Sequence, residues 1–432
     1  LLPATYVDVS PDELISQGIP DVMLSQLRRG EDTLGVHLPT LGTNRDTYLA
    51  TTGLTAESAA LVRDLGFRSI LLTSDAQNGT GNGALFYADT THMIRLSFAG
   101  GSIDTAVADP YLAATMSAGS QPGADPYLAA QQILAEIKVM RGEFEATEAS
   151  LTGRTIFLTT SDGTPPSPNL IAALMDSLAT EPDLVLTTVD DALRSTELGV
   201  IDGRAVTLEL PTNIASTDPV LAESVRRLRG RIDAFAPMLP DGDVRIEMWR
   251  SLLEILPDRS LTTIDREAYV QAVEAETRAI SESIIPPSST TFTLGGRDSS
   301  IRITLRNDGD SDLQVLVRLT SSKLRFPTQS DPVLLPAGTT TSIEVPVEAR
   351  SNGRFPVVMQ LLTPDGTVVL GAPITFTARV NALAGLGQLV TGIALLLLVS
   401  WWIHHLRRER RKRDEQVGDT ATRHPSTERL GP

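Results

Sequence analysis

The sequence predicts a multidomain chain of α/β plus all-β class that ends in one transmembrane helix. Three observations carry this. Up to residue 285, short apolar runs alternate with helical stripes. After Pro286-Pro287-Ser288-Ser289 the texture changes to period-two strands and turns. Near the end stands LLLLVSWWIHHLRRERRKR, an uncharged apolar stretch stopped by a basic run.

The first region spans residues 1–205. Tyr6–Val9 is a short strand candidate. Ala56–Gly66 reads as a helix, with Ala60, Leu61 and Leu65 on one side and Gly66 as its stop. Arg68–Thr73 follows as an apolar strand. Asp125-Pro126 starts a long helix, because Asp caps an N-terminus and Pro fits the first turn. Its Leu128, Ile133, Leu134, Ile137 and Met140 follow the helical period. Strand Thr155–Thr159, helix Pro168–Ala179 and strand Leu184–Thr188 continue the alternation. Strands separated by helices of this length read as βαβ units around a parallel sheet. The hexapeptide DPYLAA occurs at 109–114 and at 125–130. Its flanks differ, so it reads as two helix starts with the same cap chemistry.

Residues 206–285 read as a helical subdomain. Leu221, Val225, Leu228, Ile232 and Phe235 make one stripe; Leu252, Leu253 and Leu256 make another; Ile264–Ile284 is a third helix. Residues 288–380 alternate as strands do, for example Ile301-Ile303-Leu305, Leu313-Val315-Val317-Leu319 and Phe355-Val357-Met359-Leu361. About seven short strands of this kind suggest an immunoglobulin-like β-sandwich.

Residues 383–403 carry no ionisable side chain. As a helix they would be about 31 Å long, matching a bilayer core. Trp401 and Trp402 would lie at the headgroup layer. Arg407, Arg408, Arg410, Arg411, Lys412 and Arg413 would hold the tail 404–432 on the cytoplasmic side. The chain has no initiator Met and no signal peptide, so the expectation is an N-terminally truncated, single-pass plasma-membrane protein with its main domains outside.

Of 37 basic and 53 acidic residues, the tail holds eight and five, leaving 29 and 48 before it. Such an acidic surface repels nucleic acid. The absence of Cys excludes disulfides and thiol chemistry. His37 and His92 are the only histidines before the apolar stretch, and no HxxxH or HExxH spacing exists. A multi-histidine zinc site is therefore set aside, and no cofactor is expected.

Three predicted strands end alike, at Asp75 (LLTSD), Asp162 (LTTSD) and Asp190 (LTTVD), and Asp8, after Tyr6-Val7, could join them. Carboxylates at the C-terminal ends of barrel strands can do acid–base work on a sugar. The plainer reading makes Asp190 a helix N-cap and Asp162-Gly163 a turn. Gly79-Thr80-Gly81-Asn82-Gly83-Ala84 follows a strand but precedes another apparent strand, Leu85-Phe86-Tyr87, so it reads as a hairpin loop and not a nucleotide loop. Asp308, Asp310 and Asp312 in NDGDSD fit a hairpin turn better than a calcium loop. Aromatics are 4% of the chain, and Trp249 lies in a helical pattern, which disfavours a sugar platform.

ATYVDVSPDELISQG, LTAESAALVRDLGFRSILLTSD, DPYLAAQQILAEI, RTIFLTTSDGTPPSPNLIAALMDSLAT and GLGQLVTGIALLLLVSWWI together resemble an uncharacterised actinobacterial envelope family. Its genes commonly lie beside that for MurJ (MviN), the lipid II flippase. The resemblance implies that the first region is a partial (β/α) barrel-like domain of the glycoside hydrolase/deacetylase type. The metal-binding histidines of polysaccharide deacetylases have no counterparts here, so no catalytic residue carries over.

The function this suggests is a membrane-anchored extracytoplasmic binding or scaffold protein of the cell envelope. Its expected partners are the membrane, a membrane protein of wall synthesis such as the lipid II flippase, and a glycan. The alternatives are an envelope polysaccharide hydrolase using the Asp carboxylates and a structural spacer.

Overall fold

A computed structural model describes residues 2–80, 89–214, 216, 219–288, 291–296, 298–327, 331–380 and 390–405. The chain divides into two compact units, residues 1–232 with 244–275 and residues 233–243 with 276–432.

The strands of the first unit are β1 (Thr47–Ala50), β2 (Ser69–Leu72), β3 (Ile94–Phe98), β4 (Gly101–Val107), β5 (Val200–Ile201), β6 (Arg204–Ala205) and β7 (Thr207–Glu209). One sheet runs β1-β2-β4-β3-β7, and β5 with β6 makes a separate hairpin. β1, β2 and β4 are mutually parallel, β3 is antiparallel to β4, and β7 is parallel to β3. The sheet is therefore mixed, where the sequence suggested a parallel one. The cause is the tight β3–β4 hairpin, whose turn residue Gly100 sits at φ 91°. Glycine alone enters that region without steric cost.

Among the described residues eight helices precede residue 200: α1 (Pro11–Ser16), α2 (Asp21–His37), α3 (Ala56–Asp64), α4 (Ser74–Gly79), α5 (Pro110–Gly119), α6 (Pro126–Ala146), α7 (Pro168–Leu178) and α8 (Val189–Ser195). Three more are α9 (Val220–Phe235), α10 (Val244–Ile255) and α11 (Thr263–Glu282). Both DPYLAA copies are helix starts of one geometry. Asp109 accepts from the N–H groups of Tyr111 and Leu112, and Asp125 from those of Tyr127 and Leu128. Leu112 and Met116 of α5, Ile133, Leu134 and Ile137 of α6, and Leu170 and Leu174 of α7 form one buried cluster. Leu128, expected on that face, is instead 56% exposed. Trp249 of α10 is fully buried.

Three expected strands are corrected. Tyr6–Val9, Thr155–Thr159 and Leu184–Thr188 form no ladder with the sheet. Residues 155–159 nevertheless alternate as a strand would. Phe157 packs with Leu71, Ala106, Ala192 and Leu49, while Ile156 and Leu158 pack on the α5–α7 cluster. The parallel strands thus form one wall of a half-barrel, and extended chain without ladder bonds faces it.

The second unit contains β8 (Ile284–Ile285), β9 (Thr291–Leu294), β10 (Asp298–Asn307), β11 (Leu313–Thr320), β12 (Leu324–Arg325), β13 (Val333–Leu335), β14 (Thr340–Ala349), β15 (Gly353–Leu362) and β16 (Ile374–Val380). They form two sheets, β12-β14-β10-β8 and β13-β11-β15-β16-β9. The named pairs are antiparallel except β9 with β16. Ile301, Ile303 and Leu305 of β10 are buried while Arg302 and Thr304 are exposed, as period two requires. In the β10–β11 connection Asn307 donates to the carbonyls of Ser311 and Leu335 and accepts from the Gly309 N–H. Asp308 pairs with Arg306, and Asp312 accepts from the Ala337 N–H, so these carboxylates serve the turn.

The expected C-terminal transmembrane helix is also corrected. Among the described residues no helix is long and apolar enough to cross a membrane. Of the stretch 383–403, residues 383–389 lie outside the described residues, as do Arg407, Arg408, Arg410, Arg411, Lys412 and Arg413. Residues 390–405 are helical, about 24 Å at 1.5 Å per residue, which falls short of a bilayer core of about 30 Å. Trp401 and Trp402 are 66% and 61% exposed on this helix, and Trp401 stacks on His405 at 5.4 Å.

Candidate functional site

In barrel-like folds chemistry is done where the parallel strands end. Here those ends carry Thr51 after β1 and Thr73 after β2. Thr73 caps α4, its hydroxyl oxygen accepting from the Ala76 N–H at 3.2 Å. Asp75 therefore lies in the first turn of α4. The backbone N–H of Asp75 donates to the Ser161 carbonyl at 3.0 Å. The Ser161 N–H in turn donates to Ser117 Oγ at 2.8 Å, which joins the loop to α5.

The loop 160–164 is shaped by its own side chains. Asp162 accepts from the Thr164 N–H at 3.0 Å and the Thr164 hydroxyl at 2.8 Å. Burial pushes the Asp162 carboxyl up, but these bonds to its charged form outweigh burial and hold it below the usual range. Buried Thr160 donates to the Thr164 carbonyl at 2.5 Å. Gly163 adopts φ 80°, and a Cβ there would lie 2.8 Å from Thr51 Cγ2 and 3.1 Å from Thr73 Cγ2. The loop therefore rests directly on the ends of β1 and β2 and covers the mouth.

The four carboxylates singled out in the sequence do not converge. Asp75 and Asp162 share the mouth through Ser161. Asp190 sits at the opposite end of β1, accepting from Asn44 Nδ2 at 2.9 Å and Thr47 Oγ1 at 3.4 Å. The length of β1, roughly 10 Å at 3.3 Å per residue, separates the two ends. Asp190 is not the N-cap of α8; Thr188 is, with its oxygen accepting from the Asp191 N–H at 3.2 Å. Asp8 pairs with Arg259 at 3.3 Å, and its carbonyl accepts from the Arg259 N–H at 2.9 Å. Burial, then the fields of Asp8 and Asp12, raise the neighbouring Tyr48 phenol well above its ordinary value. Among the described residues no group of three His, Cys, Asp or Glu could hold a metal ion.

One electrostatic feature of this unit escaped the sequence. Arg154 pairs with Asp89, donates to Thr91 Oγ1 at 2.6 Å, and lies 4.0 Å over the Phe144 ring. Burial raises the Asp89 carboxyl, but bonds from Thr91 and Arg154 outweigh it and hold the group at about 2. The Thr155 N–H donates to the Thr91 carbonyl, so this clamp fixes the start of the segment carrying Phe157. Its charged partners lie 65 residues apart, which leaves no local sequence signal.

A family model described as a family of unknown function (DUF6049) matches residues 46–426. No curated protein matches the chain. Among solved structures, E. coli alpha-2-macroglobulin is 23% identical over 23% of this chain and 7% of its own, with a TM-score of 0.19. The ASH/PapD-like domain of human CEP192 is 14% identical over 23% of this chain and 85% of its own, with a TM-score of 0.18. The E. coli chaperone DraB is 12% identical over 23% of this chain and 56% of its own, with a TM-score of 0.18. Likenesses this slight carry no argument about fold or function.

Proposed function

The chain belongs to the family of unknown function DUF6049, and from this premise we propose that it is a non-catalytic binding or scaffold protein of the cell envelope. One observation carries the reading. The mouth of the half-barrel is covered by the loop 160–164, seated on Thr51 and Thr73 through Gly163. A hydrolase needs two carboxyl groups flanking a substrate-sized gap. Here Asp162 is engaged by Thr164, and Asp190 lies at the far end of β1.

The envelope part of the proposal rests on the sequence resemblance given above and on the apolar helix 390–405. Its side chains from Leu395 to Leu398 are 62–71% exposed. Exposed apolar surface of this extent is a site of association with a membrane or a partner. The partner class we propose is a membrane protein of wall synthesis, the lipid II flippase being one such protein, with a glycan as a further ligand. The test is photocrosslinking in native membranes from the half-barrel unit, followed by identification of neighbours. Recovery of wall-synthesis proteins supports the reading; their consistent absence overturns it.

The hydrolase reading retains one favourable observation, the placement of Asp75 and Asp162 at the same mouth. It requires Asp75→Asn and Asp162→Asn each to abolish a glycan-cleaving activity of the purified chain. The scaffold reading expects no such activity in the parent protein.

A further inference from the structure

A cleft of about 440 Å³ opens on the first unit along α2. Arg28 and Asp32 line it from one helical face, four residues apart. Neither makes an ion pair with another described residue, and both are exposed. Their order, cation before anion along the helix, is the poorer one for pairing with each other. Both charges are thus left for a ligand.

The back wall is Arg29 and Glu254. Arg29 Nε lies 3.1 Å from Glu254 Oε2, an ion pair. The N–H does not point at the oxygen, so both atoms are shielded from solvent without a hydrogen-bond partner. The rest of each side chain stays open to the cleft, at 40% exposure for Arg29 and 34% for Glu254. The wall is fixed in place. Buried Gln26 donates to the Glu254 carbonyl at 2.7 Å and accepts from the Val7 N–H at 3.2 Å, while Arg29 lies 5.5 Å over the Tyr6 ring.

Asp21 also lines the cleft but is paired with Arg229 at 3.5 Å, so the remaining charge enters in opposite-signed pairs. A purely anionic or purely cationic ligand would satisfy one member of each pair and repel the other. We infer that this cleft binds a short zwitterionic peptide. The terminal carboxylate sits on the Arg28 guanidinium, the terminal ammonium sits on Asp32, and peptide N–H and C=O groups face Glu254 and Arg29. The volume suits a few residues, lying near the low end of small-molecule sites. This inference does not depend on the covered mouth or on the envelope reading.

The experiment titrates the full chain with triglycine, N-acetyltriglycine, triglycinamide and the doubly capped peptide, read by calorimetry and ligand-observed NMR. Triglycine is expected to bind saturably in the millimolar range. Each single cap is expected to weaken it roughly tenfold, the value of one charge-assisted contact. Arg28→Gln is expected to erase discrimination against the amide alone, and Asp32→Asn discrimination against the acetyl form alone. Both side chains are exposed, so unchanged melting curves will show that the variants fold. Absence of saturable triglycine binding, equal affinity for the doubly capped peptide, or discrimination that survives both substitutions would overturn the inference.

Discussion

Gly163→Ala tests how the half-barrel mouth is closed. Two costs are added. An L-residue held at φ 80° costs about 1–2 kcal/mol. The new methyl would also stand 2.8 Å from Thr51 Cγ2 and 3.1 Å from Thr73 Cγ2. Overpacking of this kind costs about 1–3 kcal/mol. Gly123→Ala supplies the control. Its φ is 84°, and nothing lies within 4 Å of the added carbon, so it carries only the conformational cost. The gain from a stiffer unfolded chain is common to both and cancels. Gly163→Ala should therefore lose about 1–3 kcal/mol more than Gly123→Ala. In a unit of this size that difference lowers the melting temperature by about 2–4 °C per kcal/mol. The assay is urea unfolding followed by Trp249 fluorescence, with Trp401 and Trp402 replaced by Phe to remove their signal. If the two variants are equally stable, the loop is not seated on the strand ends and the covered mouth is refuted.

Further expectations concern the supporting structure. Asp89→Asn should lose about 1 kcal/mol at neutral pH, since a carboxyl that is 39% exposed is partly screened. The depressed folded value means the stabilisation is full above the unfolded value of about 4. It disappears as pH falls toward the folded value of about 2, so parent and variant should converge in acid unfolding curves. Phe157→Ala should cost about 3–5 kcal/mol in denaturant titrations, because the ring fills the space between Leu71, Ala106 and Ala192. Asp125→Ala should cost about 1 kcal/mol through its cap. Asp109→Ala should cost somewhat more in the same assay, because Asp109 also accepts from Thr90 Oγ1 at 3.3 Å.

Features built from adjacent residues were legible in the sequence. The Asp-Pro starts of α5 and α6, the stripe of α9 and the alternation of β10 follow from local cap chemistry and period. Cap assignment failed where two capping residues stood close together. Thr188 takes the N-terminal N–H group, which leaves Asp190, read as the cap, in the first turn. The run 155–159 read as a strand, and in the structure Phe157 packs on one side while Ile156 and Leu158 pack on the other. It could not reveal that no ladder forms, because pairing depends on what lies alongside. The Asp89–Arg154 clamp depends on a contact distant along the chain. The apolar run 383–403 read as a spanning helix, whereas the described helix begins at residue 390 and is too short for that.

The parallel pairing of β9 with β16 has a mechanical consequence. Thr291–Leu294 and Thr377–Val380 lie side by side, pointing the same way, over four matched positions. Tension applied to the chain before Thr291 and after Val380 would load this seam lengthwise. Its bonds would have to rupture together, in shear, and not in sequence like a zipper. A module joined in this manner can bear a pull along its backbone without opening.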